Sequence, residues 1–192
     1  YMPWLGKKAY DGIMAAYTAA SRKNGKKYIP LIKNATQLYV IEKGALCGVV
    51  LDGSYNLTEA NYKTSLQNMV DRVLITDKDG NQIGVVEDTA AQQKYGVVQT
   101  VYKQEDGKDA QTEAKALLQT LEQTGSVTGC QGDSRAVSGY ALIVQETTTG
   151  LFGKFYIESD THTFTDGKHE MALTLAFSNM MDEKEIENQS QG

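Results

Sequence analysis

Apolar and polar positions alternate most clearly between residues 150 and 177, where two such runs flank Asp166-Gly167. Both members of that pair tolerate positive φ, so the spacing predicts a tight hairpin. Shorter strand-like runs cover 27–32, 37–42, 47–55, 69–76, 82–87, 97–102, 126–130 and 140–146. Asn34 marks a turn between the first two, and Asp79-Gly80-Asn81 marks a second hairpin. Pro30 cannot donate to a ladder, which places its strand at a sheet edge. The stretch 57–67 is polar and weakly patterned, and reads as no particular element.

Helical spacing appears in three places. Leu5, Ala9, Ile13, Ala16, Tyr17 and Ala20 predict a helix over 5–23, weakened by about 1 kcal/mol at each of Gly6 and Gly12 and stopped at Asn24-Gly25. Residues 89–95 suit a single short turn ended by Gly96. Asp109 is placed to cap a helix over 109–124, with Ala110, Ala114, Leu117, Leu118 and Leu121 as its apolar stripe.

The pattern predicts a β-rich α+β fold. Its parts are a helix-plus-ribbon subdomain over 1–45, a barrel-like antiparallel β domain over 46–180 carrying the 109–124 helix, and a charged, fraying tail over 181–192. The C-terminal strands are expected to form a closed or strongly curved sheet, with Phe155, Ile157, Leu173 and Leu175 in its core. The helix and ribbon can bury little alone and need a surface to lean on.

Composition narrows the classes. The chain has 192 residues, 41% hydrophobic and 22% charged, enough for a real core and too apolar for disorder. A net charge of −5 argues against stable nucleic-acid binding through phosphates. No apolar run approaches the roughly 20 residues of a membrane span, and the opening Tyr1-Met2-Pro3-Trp4, followed by an amphipathic stretch, does not read as a secretory signal. A start on Tyr1 reads as a fragment. Cys47 and Cys130 are read as two buried thiols; sequence alone does not exclude their pairing. Arg22, Lys23, Lys26 and Lys27 crowd a helix end, either as an anion patch or as cations favoured there by the dipole.

Candidate chemistry gathers on the 150–177 hairpin. Gly132-Asp133-Ser134 with Asp166-Gly167-Lys168-His169 resembles the GDSL esterase/lipase signature, which would make Ser134 the nucleophile, His169 its base and Asp166 the orienting acid. That group spaces its motifs across most of an α/β domain, whereas here about thirty strand-like residues intervene. His162 should lie opposite Met171 and diagonal to His169, so a metal could draw on His162, His169 and Asp160 or Glu158. Two cross-strand histidines are more commonly structural. Glu146, Glu158, Asp160 and Glu170 suffice in number for a glycosidase pair, but no spacing singles out an acid and its partner. The leading expectation is no catalytic, cofactor or metal site; the alternative is a cell-wall or ester hydrolase acting through Ser134 and His169 or a carboxylate pair.

An ordered series of segments carries a resemblance. It runs through 68–73 (NMVDRV) to Asp77-Lys78-Asp79-Gly80, then 94–99 (KYGVVQ), the 114–121 helix, Gly132-Asp133 with Gly139, 150–157 (GLFGKFYI), 159–163 (SDTHT) and 169–175 (HEMALTL). In this order the segments resemble the XkdQ/YqbQ-type proteins of the defective phage PBSX and related contractile-tail elements. The resemblance implies a baseplate hub protein, similar to the hubs of phages such as Mu and to part of type VI secretion VgrG proteins. Such hubs use two barrel-like domains per subunit and assemble as trimers joining tail tube to spike. This chain would hold the later half or more, lacking the first barrel. The implied setting is a virion, prophage or tailocin baseplate, with homo-oligomer, tube and spike as partners. Some relatives carry a cell-wall hydrolase label.

Overall fold

The computed structural model describes residues 8–185. Within them the elements run α1 (Ala9–Asn24), β1 (Tyr28–Lys33), β2 (Gln37–Glu42), β3 (Leu46–Asp52), β4 (Glu59–Ser65), β5 (Arg72–Thr76), β6 (Gln82–Glu87), α2 (Thr89–Tyr95), β7 (Gln99–Lys103), α3 (Ala110–Ala116), β8 (Glu122–Gln131), β9 (Ala141–Glu146), β10 (Leu151–Thr165) and β11 (Lys168–Ala176). The β-rich α+β class is as expected. Contacts divide the chain into two compact units, one from the described parts of Tyr1–Tyr62 and Thr124–Gly192, the other Lys63–Gln123. The sequence-based boundary at 45 coincides with neither limit.

The first unit is built on a six-stranded sheet of order β3-β9-β10-β11-β8-β4. It is not a closed antiparallel barrel: among the described residues β3 and β4 stand at the two ends of the strand order, and β3 runs parallel to β9. Yet β3 and β4, consecutive in the chain, lie at opposite ends of the order, so the sheet must curl. Asn56, in the loop between them, shows how its two sides are clasped. Its side-chain amide donates to Val50 O at 3.0 Å and its Oδ1 accepts from Asp52 N at 2.8 Å, while its own carbonyl accepts from Gln131 N of β8 at 3.0 Å. Side-chain bonds and a loop thus take the place of a closing ladder. Inside the curve lie Leu51, Val127, Leu142, Val144, Leu151, Ile157 and Leu175, all fully buried, with Phe155 and Leu173 nearly so. All four expected core residues are therefore in the core. Cys130 is buried among them, Cys47 is half-buried, and both thiols are free.

The ribbon β1–β2 pairs in register around the Asn34–Ala35 turn, with Pro30 opposite Val40. It leans on the sheet at two glycines. Gly44 N donates to Gly139 O at 2.7 Å; a Cβ at Gly139 would meet Ile29 at 2.8 Å, and one at Gly44 would meet the Tyr156 ring at 2.7 Å. Gly25 stops α1 in the left-handed conformation, as expected. Leu5 of the expected helix lies outside the described residues.

The face α1 buries is not the expected apolar stripe. Gly12, Met14, Ala15, Thr18 and Ser21 are buried, whereas Ala9 and Ala16 are exposed. The small polar face receives the chain's C-terminal segment: Lys184 N donates to Thr18 Oγ1 at 3.1 Å, and Tyr10 Oη to Asp182 at 3.0 Å. Arg22 pairs with Glu185, Lys27 with Glu183 at 3.1 Å, and Lys26 with Glu42 at 2.7 Å. Residues 182–185 are thus fastened rather than frayed, and 186–192 of the expected tail lie outside the described residues. Three of the four clustered cations are engaged within the chain, in exposed pairs that solvent screens.

The second unit holds a three-stranded sheet, β6-β5-β7, with β5–β6 an antiparallel hairpin and β5–β7 parallel. Val73, Ile75 and Ala114 form its core. Asp88 caps α2 by accepting from Ala91 N at 3.0 Å, and Asp109 caps α3 from Thr112 N at 2.9 Å. The buried carboxylate of Asp71 accepts from Val98 N at 2.9 Å, tying the start of β5 to the approach of β7. The expected 109–124 helix is cut short. Val70 and Gln119 exchange backbone bonds at 2.9 Å in each direction, which draws the chain out of the helix after Ala116, and Leu121 precedes a strand.

Candidate functional site

The long hairpin carries the cluster of interest. Asp166 and Gly167 both have positive φ (50° and 74°), and the register pairs Thr165 with Lys168, Phe164 with His169 and His162 with Met171. The register slips between Ile157 and Ser159, leaving Glu158 as an extra residue. Such a bulge exchanges the two faces of a strand. Phe155 and Ile157 point into the core before it; Asp160, His162 and Phe164 share that face after it. The hairpin therefore extends the core face into a polar cluster.

Two histidines meet there. His162 Nδ1 lies 2.8 Å from His169 Nε2, and His162 Nε2 lies 3.1 Å from Ala136 O and 3.5 Å from Asp160 Oδ2. Phe164 stacks on the other side of His169 at 4.1 Å, its own ring 72% exposed. Beneath the pair runs the loop 132–140. Gly132 N donates to His169 O at 2.8 Å, Ser138 N to Asp160 Oδ1 at 2.6 Å, and Ser138 Oγ to Glu158 O at 2.8 Å. Arg135 grips Asp133 at 2.7 and 3.0 Å, and this bond, helped by the Arg135 amide, draws the Asp133 carboxyl down to about 2. Burial pushes the Cys130 thiol up to about 11.

The sequence candidates fall into separate places. His162, His169 and Asp160 come together. Ser134 sits on an exposed turn and Asp166 at the exposed hairpin tip; among the described residues neither makes a hydrogen bond to His169, whose ring partner is His162. Glu146 is committed to its own loop, accepting from Thr148 N and Thr149 N at 2.9 and 2.7 Å and from the Thr149 hydroxyl. These bonds, the hydroxyl's first, lower its carboxyl to about 2. Glu158 and Glu170 are exposed. Among the described residues no three His, Cys, Asp or Glu side chains converge as metal ligands. Sequence reading missed the Ala136 carbonyl, Ser138 and the Asp133–Arg135 pair. Only the last carries a sequence signal, as opposite charges two residues apart.

Gly132 has no room for a side chain, because a Cβ there would lie only 2.2 Å from the His169 ring. Gly132→Ala is expected to swing that ring away, break the histidine contact and cost about 1–3 kcal/mol. Imidazole nitrogen NMR checks this: the variant should lose the coupling or shift that marks the His162–His169 bond, and unchanged spectra would contradict the geometry.

A family model described as YQBQ-like matches residues 4–176. The chain belongs to the YQBQ-like family. Among curated relatives, the phage-like element PBSX protein XkdQ of Bacillus subtilis (strain 168) is 27% identical to this YQBQ-like chain, the match covering 91% of the chain and 56% of that protein. Among solved structures, the 43 kDa tail protein of prophage MuSo2 from Shewanella oneidensis is similar with a TM-score of 0.55 at 14% identity. That match covers 78% of this chain and 49% of the other, and it is a likeness of fold. The tail protein from Neisseria meningitidis MC58 gives a TM-score of 0.49 at 14% identity, over 85% and 54% of the two chains. The YQBQ-like chain spans about half the length of the relatives it matches. Among its described residues, no helix is long and apolar enough to cross a membrane.

Proposed function

We propose that this YQBQ-like chain is a structural, non-enzymatic component of a phage or phage-like tail, acting in the baseplate hub that joins tail tube to spike. The observation that carries the reading is family membership across residues 4–176, with a curated relative from the phage-like element PBSX. The fold shared with a prophage tail protein supports it. Its surface suits assembly as well. Among the described residues the curved sheet ends at β3 and β4, and Leu46 and Val50 of β3 expose large apolar side chains. Exposed edges of this kind call for a partner or a cover. In this reading the chain works as a homo-oligomer, a trimer, within the virion. The net charge of −5 suits a channel wall that repels passing DNA.

Removal of the gene from its element tests the reading. Electron microscopy of induced particles should then show tubes or sheaths without finished baseplates, restored by the intact gene and by Ser134→Ala alike. Complete, infective or contractile tails in the deletion strain would overturn it.

A further inference from the structure

The histidine pair has only one arrangement of protons that fits its surroundings. Ala136 O is a carbonyl and can only accept, so neutral His162 carries its proton on Nε2, leaving Nδ1 as an acceptor. His169 must then donate through Nε2–H across the 2.8 Å contact. One further proton is accommodated: placed on His169 Nδ1, it leaves the Nε2–H donor unchanged and makes the bond charge-assisted. A second is not. With both rings charged, each would aim an N–H at the other at hydrogen-bond distance, and the like charges would repel.

We propose that His162 and His169 form a proton-limited latch, which holds the loop 132–140 against the β10–β11 hairpin while the pair carries at most one extra proton and releases it when both rings are charged. Only the released loop takes up the second proton, so the latch weakens once pH falls far enough in the histidine range to charge both rings and is restored as pH rises back through that step.

The surrounding charges favour this sequence of events. On β10, Asp160 approaches His162 Nε2 at 3.5 Å, while Glu158 is exposed and offers the loop only its backbone carbonyl. In the loop, Asp133 feels the charge of His169 but is already bound to Arg135. On β11, Lys168 and Glu170 flank His169 along an open cleft that Tyr55, from the loop after β3, and Cys130 of β8 also line. The Cys130 thiol, raised by burial, stays uncharged.

Release reaches beyond the pair. The same loop supplies Ser134, Arg135, Val137, Ser138 and Tyr140 to the wall of a cavity of about 630 Å³. Letting go of Ala136 loosens one side of that cavity, so its shape becomes dependent on pH.

Hydrogen exchange on the 192-residue chain tests the latch, with rates at Gly132 and Ser138 divided by their intrinsic values from about pH 8 to about pH 5. Protection at both amides should fall on the order of tenfold across that range, while Phe155, in the β9–β10 ladder, stays constant. His169→Gln keeps a donor that never charges and should abolish the fall. Equal protection at both ends of the range in the unaltered chain would overturn the proposal. So would a fall retained in His169→Gln, which would assign it to the Asp133 and Asp160 carboxylates. Nitrogen NMR of the unaltered chain gives a check that needs no variant: His162 should be protonated at Nε2 near neutral pH, and the opposite tautomer contradicts the latch.

Discussion

Leu175→Ala is expected to lower stability by about 2–5 kcal/mol, the range for deleting a fully buried leucine side chain where neighbours cannot collapse. Leu175 sits inside the curve of the sheet with no exposed surface, opposite Ile157 and packed with Leu151 over Gly125. A backbone held by ladders on both sides of β11 has little freedom to fill the void. For a chain of this size the melting temperature should drop by roughly 5–15 °C. Phe152→Ala is the matched control. Phe152 lies on the neighbouring strand but is 65% exposed, and its loss should change stability by only about 0.5 kcal/mol. Similar melting temperatures for the two variants would mean that the residues 150–177 do not face as described.

Gly44→Ala should be comparably severe, for a different reason. Gly44 has φ of 87°, where a side chain costs about 1–3 kcal/mol, and its Cβ would press on the Tyr156 ring and Asn179 at 2.7 Å. Crowding at such a seam adds about 1–3 kcal/mol. The predicted consequence is local as well as global: the α1–ribbon layer should lift from the sheet, exposing Ile29 and Ile41 near Gly139. Limited proteolysis would then cut around residues 43–45 in the variant but not in the unaltered chain. Equal cleavage in both would contradict the packing.

How much of this was legible beforehand depended on whether local chemistry decided the outcome. The Asp166-Gly167 hairpin, the Asp109 cap and the Gly25 stop need only their own residues, and each formed as spacing predicted. The four core residues followed from alternation. β4 was invisible because Glu59–Ser65 is an edge strand, exposed at most positions, with no alternation to read. The end of α3 was set by the distant Val70–Gln119 bridge, and the buried face of α1 by a C-terminal segment more than 160 residues away. The curled, unclosed sheet has its two sides joined by Asn56, a contact that no periodicity encodes.

The same division holds at the candidate site. The cross-strand relation of His162 to His169 was readable from the turn alone. The bulge at Glu158 that puts Asp160 on their face left a faint mark, an unbroken polar run over 158–163 that interrupts the alternation. The loop beneath left almost none, because its key contact is a backbone carbonyl that any residue at 136 would provide.

The proposal that this YQBQ-like chain is a building block of a tail hub can be checked by native mass measurement of the purified polypeptide, alone and with the tube and spike proteins of its own element. A three-copy assembly that takes up both partners is expected. A chain that remains monomeric in the presence of all of them would contradict it.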